Sequence, residues 1–438
     1  MTTLARSAPR SPIQRLLAAV ALAASLAAPA AALAAKAGEL DKRFGGDGTV
    51  LRDLGANDRT EDLVVQRDRK VVTVSTVEFR GDLAVQVNRF GADGRIDRRF
   101  GNDGRRILAL PGDEYEPSVE LTNHGKIVVA FGADTNDARV GVARLTRKGT
   151  PDRSFDGDGI QTVGYGAEVA LYGPPADVAV APDGKIVTVG FARRDVEGAQ
   201  DDFGVIRLRP AGGLDEGFGD GGRALIDVDG TDNANAVAID SAGEITVAGD
   251  AVADTSRRLA VARLTDAGEP APELGQDGTA TSPLMRSAAD VLTLPGGGLA
   301  AAGTVSGDFG LVRLGSDGSP DSAFSDDGLV TVDFADSTDS AAAVARDGAR
   351  LVLAGAARTQ RRGFDFAVAR LTPDGEPDLS FSEDGRRAVD FGRTSDEAVG
   401  VDVDARGSIV AGGRVEGRGS GSGDRTDTGI ARLLGKRD

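Results

Sequence analysis

The chain has 438 residues, a formal net charge of −17, one histidine (His124) and neither cysteine nor tryptophan. This composition excludes disulfides, thiolate chemistry and metal sites built on several imidazoles, and the acidic balance argues against nucleic-acid binding. The 61 glycines are about twice the usual ~7%, and aromatic residues make up only 4%, so we expect a turn-rich, all-β protein.

The first 34 residues have the features of a secretory signal peptide. Residues 1–15 carry three arginines and no acid, residues 16–33 are almost entirely apolar, and Ala32–Ala34 fits a small-x-small cleavage site. We therefore expect a mature protein of residues 35–438 that is secreted or held at the cell surface, with no later membrane span. An uncleaved anchor is the alternative, but the alanine-rich stretch is weakly hydrophobic.

The rest of the chain is a sevenfold repeat with a unit of about 57 residues. Each unit has an arginine at the end of a strand-like segment, and in six units an aromatic residue or leucine follows eleven residues later. The arginines are Arg89, Arg144, Arg207, Arg263, Arg313, Arg370 and Arg432. The phenylalanines of the repeat are Phe44, Phe100, Phe155, Phe218, Phe324 and Phe381.

Each unit is predicted to form four strands. In the unit of residues 176–230 they fall at 177–180, 186–189, 203–208 and 223–226. Four antiparallel strands repeated seven times predict an all-β, seven-bladed β-propeller. The chain begins with a fourth strand near 48–54 and ends with strands one to three, so the N-terminal strand must pair with the C-terminal three strands to close the ring. A β-solenoid or stacked sheets are the alternatives.

The segment DFAVARLTPDGEPDLSF, from Asp365 to Phe381, resembles the bacterial delta-60 repeat. The resemblance extends over about residues 38–434. It implies an exported, propeller-like repeat protein with no reaction assigned to the repeat. The fifth copy departs from the pattern, with Ala271 in place of aspartate and Leu274 in place of phenylalanine, so its turn is expected to be weaker.

An aspartate follows the repeated arginine after eight residues in five units, and ring closure predicts a sixth pair between Arg432 and Asp41. Such pairs could be ligand sites. A structural role is simpler, because a hairpin brings the arginine beside the turn, where the aspartate can accept its hydrogen bonds and cap the turn. Phenylalanine would then pack between blades. The aspartates of these pairs are Asp41, Asp97, Asp152, Asp215, Asp321 and Asp378.

Function is expected on the face formed by the variable connections, those between strands two and three and those between blades. The longest are 163–176, 191–201 and 413–426. Tyr115, Tyr165 and Tyr172 fall on this face, and exposed tyrosines suit contact with protein or glycan. The alternative is that these rings only pack over loops.

Three carboxylates form a second candidate site. Asp62, Asp177 and Asp290 occupy equivalent positions at the start of an innermost strand, which would place them at the mouth of the central channel. Such a ring could hold calcium or act in acid–base catalysis; solvated strand ends are the alternative. The Asp-Gly turns of the repeat lack the full calcium-loop spacing, so we expect no cofactor and leave calcium open.

Three functions remain open. The leading one is a secreted, non-catalytic scaffold, expected to be a monomer, that binds a protein, a glycan or an envelope component. The second is a hydrolase or lyase that uses the channel carboxylates, which coupled acids with a raised pKa would favour. The third is a structural surface protein, which a smooth face without a pocket would favour.

Overall fold

The computed structural model describes residues 36–54, 58–134, 139–166, 169–275, 277–335, 338–359, 363–393, 395–416 and 426–435. These residues form one compact unit. The predicted signal peptide lies outside them.

Seven antiparallel sheets follow one another along the chain, and we number them as blades in chain order. The first strand, β1 (Thr49–Arg52), belongs to blade seven. Blade one contains β2 (Arg59–Val65), β3 (Val71–Phe79), β4 (Asp82–Phe90) and β5 (Arg105–Leu108). Blade two contains β6 (Asp113–Leu121), β7 (Ile127–Asp134), β8 (Arg139–Leu145) and β9 (Ile160–Val163). Blade three contains β10 (Val169–Tyr172), β11 (Asp177–Val180), β12 (Ile186–Arg194), β13 (Asp201–Leu208) and β14 (Arg223–Ile226).

The remaining four blades repeat this order. Blade four contains β15 (Thr231–Ile239), β16 (Ile245–Ala253), β17 (Ser256–Leu264) and β18 (Thr279–Ser282). Blade five contains β19 (Ala288–Thr293), β20 (Leu299–Val305), β21 (Asp308–Leu314) and β22 (Leu329–Val332). Blade six contains β23 (Asp339–Asp347), β24 (Arg350–Ala357), β25 (Asp365–Leu371) and β26 (Arg386–Val389). Blade seven contains β27 (Asp396–Val403), β28 (Ile409–Glu416) and β29 (Thr426–Leu433), to which β1 is added.

The core lies between the blades. One cluster joins Val187 and Phe203 of blade three to Val247 and Ala262 of blade four, and similar clusters fill other junctions. Strands two and three of a blade are covered on both faces, so they are nearly continuous apolar runs rather than alternating ones. The small alanine, glycine and valine side chains allow these twisted sheets to approach closely, which accounts for the low aromatic content.

The ring closes as the sequence predicts. Strand β1 pairs with β29 in antiparallel register, with Thr49 opposite Ala431, and the sheet order is β1-β29-β28-β27. The chain segments outside these strands also meet, because the Gly38 amide donates to the Leu434 carbonyl at 2.7 Å. The seventh blade is therefore built from both ends of the described chain.

The innermost strands differ from the prediction in one respect. A register shift interrupts the first strand of most blades, as between Thr60 and Asp62. In blade three the strand is divided into β10 and β11, and both pair with β12. The intervening Pro174 and Pro175 have no amide hydrogen to donate to a ladder. The connection predicted at 163–176 is thus partly strand, and the one at 191–201 shortens to 195–200; most of 413–426 lies outside the described residues.

Each repeated arginine bonds to the next blade, and all but Arg263 also form an ion pair within their own blade. Arg432 donates to Asp41 at 3.0 Å and to the Ala92 carbonyl of blade one at 2.7 Å, and its guanidinium lies 4.5 Å from the centre of the Phe44 ring. The ion pairs with the eighth residue have nitrogen–oxygen distances of 2.7–2.9 Å in six blades. The bond to a carbonyl of the following turn occurs in all seven.

The phenylalanine of the repeat packs into the neighbouring blade. Phe100 is fully buried, and a Cβ added to Gly149 of blade two would lie 2.7 Å from its ring. Gly149 also has a φ of 76°, which favours glycine. The next residue, Gly101, donates its amide to the Lys148 carbonyl of the same turn at 2.7 Å. Phenylalanine and glycine of successive units therefore form one contact.

The ion pair that closes the ring should contribute more to the free energy of unfolding than the more exposed ion pair of blade five. Arg432 and Asp41 have side chains only 1% and 2% exposed, whereas Arg313 and Asp321 are 30% and 24% exposed. We expect Arg432→Met to lower the free energy of unfolding by about 3 kcal/mol, because it removes one buried partner of Asp41, which keeps its bond from Arg43, and also the donor to the Ala92 carbonyl. The matched Arg313→Met should cost about 1 kcal/mol. Urea unfolding measures both, and equal costs would contradict a special role for the closure.

Candidate functional site

The first strands of all seven blades line a central channel that holds a cavity of about 320 Å³. Asp62, Asp177 and Asp290 all lie on its wall. Charged side chains near them include Arg59, Glu61 and Glu116, and the opposite part of the wall is made of small apolar residues of blades six and seven. The structure thus brings the three predicted carboxylates to one cavity.

Asp62 and Asp290 lie within their strands rather than at strand ends, whereas Asp177 is the first residue of its strand. Asp62 is the fourth residue of β2 and follows the register shift of that strand, and Asp290 follows the equivalent shift in β19. Asp177 begins β11, directly after the two prolines. The interruption of each strand turns the following side chain toward the channel and the next blade.

Each carboxylate bridges two blades. Asp62 accepts from its neighbour Leu63 at 2.7 Å through Oδ1 and from the Val119 amide of blade two at 2.8 Å through Oδ2. Asp177 repeats this with Val237 of blade four, and Asp290 with Val344 of blade six. Both oxygens of each group are therefore bonded to backbone amides.

A fourth carboxylate makes the same kind of bridge between blades seven and one. Asp402 accepts from its neighbour Val403 at 2.6 Å and from the Val65 amide of blade one at 2.8 Å. It lies two residues further along its strand than the position equivalent to Asp62, which in blade seven is Gly400. Asp402 was not predicted from the sequence, because a comparison of equivalent positions in the repeat units does not include it.

The channel acids form a coupled cluster. Each is half-buried by surface area, but the surrounding blades keep bulk water away. This desolvation raises the pKa of Asp62 to about 8, and repulsion by Asp290 and Glu120 adds to the effect, while the two amides oppose it. The pKa of Asp177 is raised well above its usual range for the same reasons, and that of Asp290 is raised to about 6. The uncharged form of Asp62 is thus favoured near neutral pH, whereas Asp290 is mostly ionised there.

The predicted tyrosines do not form a common exposed surface. Tyr165 is buried, and its ring lies against Gly204. Tyr115 is half-buried, with its ring against Gly132. Tyr172 is part of β10, and its side chain lies outside the described part of the structure. The expectation of exposure is therefore wrong for Tyr165, which instead fills the space above a glycine.

A larger cavity, of about 880 Å³, lies along the outermost strand of blade three. Two of the variable connections meet there: one supplies Tyr165 and Val169, and the other supplies Arg194, Asp195 and Val196. Val196 is 65% exposed. We call this the blade-three cavity; β14 and the turn Gly268–Pro270 of blade four complete its wall.

Two arginines give the blade-three cavity a defined polar wall. Arg194 pairs with Asp202 at 3.3 Å, and Arg223 of β14 donates through Nε to the Gly164 carbonyl at 2.6 Å. Strand β14 pairs with β13 on one side only, so its other edge borders the cavity. The cavity therefore combines an exposed apolar side chain, two arginines whose positions are fixed by an ion pair and a hydrogen bond, and the edge of a strand.

A further set of carboxylates was not predicted from the sequence. Three groups, each of three aspartates at a blade junction, bring one oxygen per residue within 4.8 Å of one another in the described part of the chain, and the channel aspartates belong to none of them. The groups are Asp202, Asp227 and Asp232; Asp308, Asp333 and Asp339; and Asp365, Asp390 and Asp396. The sequence feature that could have revealed them is an aspartate at the start of strand three with a second aspartate 25 residues later in each case.

These features define the class of the protein, a seven-bladed β-propeller built from a sequence repeat. Three segments match a family model described as "Domain of unknown function (DUF5122) beta-propeller": residues 181–218, 297–324 and 350–381. Each segment ends at the buried phenylalanine of its repeat unit. The match thus falls on the part of the unit that forms the inter-blade contact.

Several solved structures are similar to this chain at low sequence identity. A protein of unknown function from Dyadobacter fermentans has 10% identity and a TM-score of 0.47, with 88% of this chain and 98% of that chain covered. The polysaccharide lyase Uly1 has 11% identity and a TM-score of 0.48, with 91% and 97% covered. Sqt1 of Chaetomium thermophilum, bound to the N-terminus of a ribosomal protein, has 12% identity and a TM-score of 0.42, with 87% and 98% covered.

Comparison of the sequence with curated proteins gave no significant match. Among the described residues, no helix has the length and apolar character needed to cross a bilayer.

The raised pKa of Asp62 makes stability depend on pH. Its folded value of about 8 exceeds the unfolded value of about 3.9, so the folded state binds more protons between these limits and this group's stabilisation is lost as pH rises through them. Asp62→Asn removes this dependence. We expect its melting temperature, relative to the unmodified protein, to rise from pH 5 to pH 8.5.

Asp97→Asn provides the control for this experiment. Hydrogen bonds and the neighbouring Arg89 and Lys70 outweigh burial and hold the pKa of Asp97 below its usual range. The difference in melting temperature between Asp97→Asn and the unmodified protein should therefore stay constant from pH 5 to pH 8.5. If the difference in melting temperature for Asp62→Asn is also independent of pH, the pKa of Asp62 is not raised in the folded protein.

Proposed function

We propose that the protein is a secreted, non-catalytic binding propeller that takes a protein or glycan ligand at the blade-three cavity. The observation that carries this proposal is the meeting of two variable connections at that cavity, beside the edge of β14. Variable loops on a rigid scaffold are where propeller-like folds place recognition.

The chemistry of the cavity suits an extended ligand. Val196 offers an exposed apolar contact, and Arg194 and Arg223 offer planar donor groups for carbonyls, carboxylates or sugar hydroxyls. The Arg223 carbonyl already accepts from the Asp220 amide, but the outer edge of β14 beyond it can bond to the backbone of an extended peptide. An extended polypeptide segment therefore satisfies more of these groups than a compact small molecule does.

A second candidate, hydrolysis or lysis in the central channel, is favoured by the raised pKa values of Asp62 and Asp177. A general acid must place its proton on the substrate. Here the amides of both neighbouring strands occupy the carboxylate oxygens, so we rank this candidate below binding.

The binding proposal is tested with arrays of immobilised peptides and glycans. Val196→Asp and Arg194→Glu should each weaken the captured interaction about tenfold or more, which corresponds to about 1.4 kcal/mol. Leu379→Asp is the matched control, because Leu379 is 69% exposed and lies in blade six. Unchanged binding by both cavity variants would contradict the assignment.

The same arrays distinguish binding at the blade-three cavity from catalysis in the central channel. Cleavage of an array glycan or peptide that disappears in the triple variant Asp62→Asn, Asp177→Asn, Asp290→Asn, but persists in Val196→Asp, would move the function to the channel. Binding without cleavage supports the scaffold.

A further inference from the structure

Three aspartates meet at the junction of blades six and seven. Asp365 begins β25, Asp390 follows β26 and Asp396 begins β27. One carboxylate oxygen of each lies within 4.8 Å of the other two. Because the first two belong to blade six and the third to blade seven, the cluster joins neighbouring blades close to the place where the ring closes.

A separate observation concerns one oxygen of Asp396. Asp396 is fully buried; its Oδ2 accepts from the Phe391 amide at 2.9 Å, whereas its Oδ1 is buried without any hydrogen bond. Buried polar atoms are nearly always bonded, and an unbonded carboxylate oxygen is costly. A cation would satisfy this oxygen.

The other two carboxylates meet this oxygen from the edge of the cluster. Asp365 accepts from the Thr359 hydroxyl, and Asp390 accepts from the Gly392 amide. Asp390 is exposed, so an ion can reach the cluster from solvent. The cluster therefore concentrates negative charge around one buried oxygen and keeps an open side.

The donor set selects the ion. Oxygen-only ligands suit hard cations such as Ca²⁺ and Mg²⁺. Ca²⁺ takes six to eight oxygens in a flexible geometry, whereas Mg²⁺ keeps several waters and is usually held by one or two carboxylates, so three carboxylates favour Ca²⁺. We propose that Asp365, Asp390 and Asp396 bind a calcium ion that bridges blades six and seven, with water completing its coordination.

The related clusters differ at one atom. Asp232 accepts from the Val228 amide through Oδ2 and from the Asp229 amide through Oδ1. Asp339 likewise uses Oδ2 for Phe334 and Oδ1 for Arg358. Both oxygens of these residues have backbone donors, so the ion is assigned to the junction of blades six and seven alone.

Isothermal titration of the chelator-treated full-length protein with CaCl₂ tests the site. We expect one Ca²⁺ per chain, a melting temperature that rises with Ca²⁺ by mass action, and a weaker response to MgCl₂. Asp396→Asn and Asp390→Asn should each weaken Ca²⁺ binding about tenfold or more. Asp390 is exposed, so this second variant tests the site without disturbing the core.

The control is Asp227→Asn, the equivalent of Asp390 at the junction of blades three and four. It should bind Ca²⁺ as the unmodified protein does, and so should the triple channel variant described above. The assignment is overturned by an absence of Ca²⁺ binding, by normal binding in Asp390→Asn, or by an equal loss in Asp227→Asn. None of these outcomes depends on the blade-three cavity.

Discussion

The structure depends on a hydrogen bond that crosses from one blade to the next. A blade is made of local hairpins, which determine its own pairing but leave its orientation toward its neighbours open. The repeated arginine supplies that orientation, because Arg207, for example, is bonded to Asp215 in its own turn and to the Asp266 carbonyl in the next. The aspartate and the ring of Phe218 hold the guanidinium in position. The same geometry at every junction gives a regular angle between blades, and a regular angle is what closes a ring.

Near the axis, carboxylates also link neighbouring blades, but there the side chain accepts the hydrogen bond instead of donating it. Asp62 accepts from the strand of the next blade, where Arg89 at larger radius donates to the next turn. A propeller narrows toward its axis, so a short side chain suffices there and a long one is needed outside. An acidic channel with raised pKa values therefore follows from the way the blades are joined near the axis. The same groups that resemble a catalytic cluster in sequence are bonded to the scaffold in space.

The sequence predicted most of the fold because its information is periodic. The arginine spacing gave the number of blades, and the incomplete first and last units gave the closure between β1 and β29. The sites were harder to predict, since they depend on register and on packing between blades. No spacing rule reveals that Asp62 reaches Val119, or that Tyr165 covers Gly204. The aspartates that meet at Asp396 are separated along the chain and come together only when two blades pack.

The fifth unit shows which part of the repeated contact is essential. Ala271 removes the ion pair and Leu274 removes the aromatic ring, yet Leu274 is still fully buried. Arg263 still donates to the Ser316 carbonyl of the next blade at 3.2 Å and also to the Gly297 carbonyl. The cross-blade bond therefore survives the loss of both groups that position the arginine. It follows that the ion pair and the ring refine the contact, whereas the bond to the neighbouring carbonyl and a filled apolar pocket suffice to continue the ring.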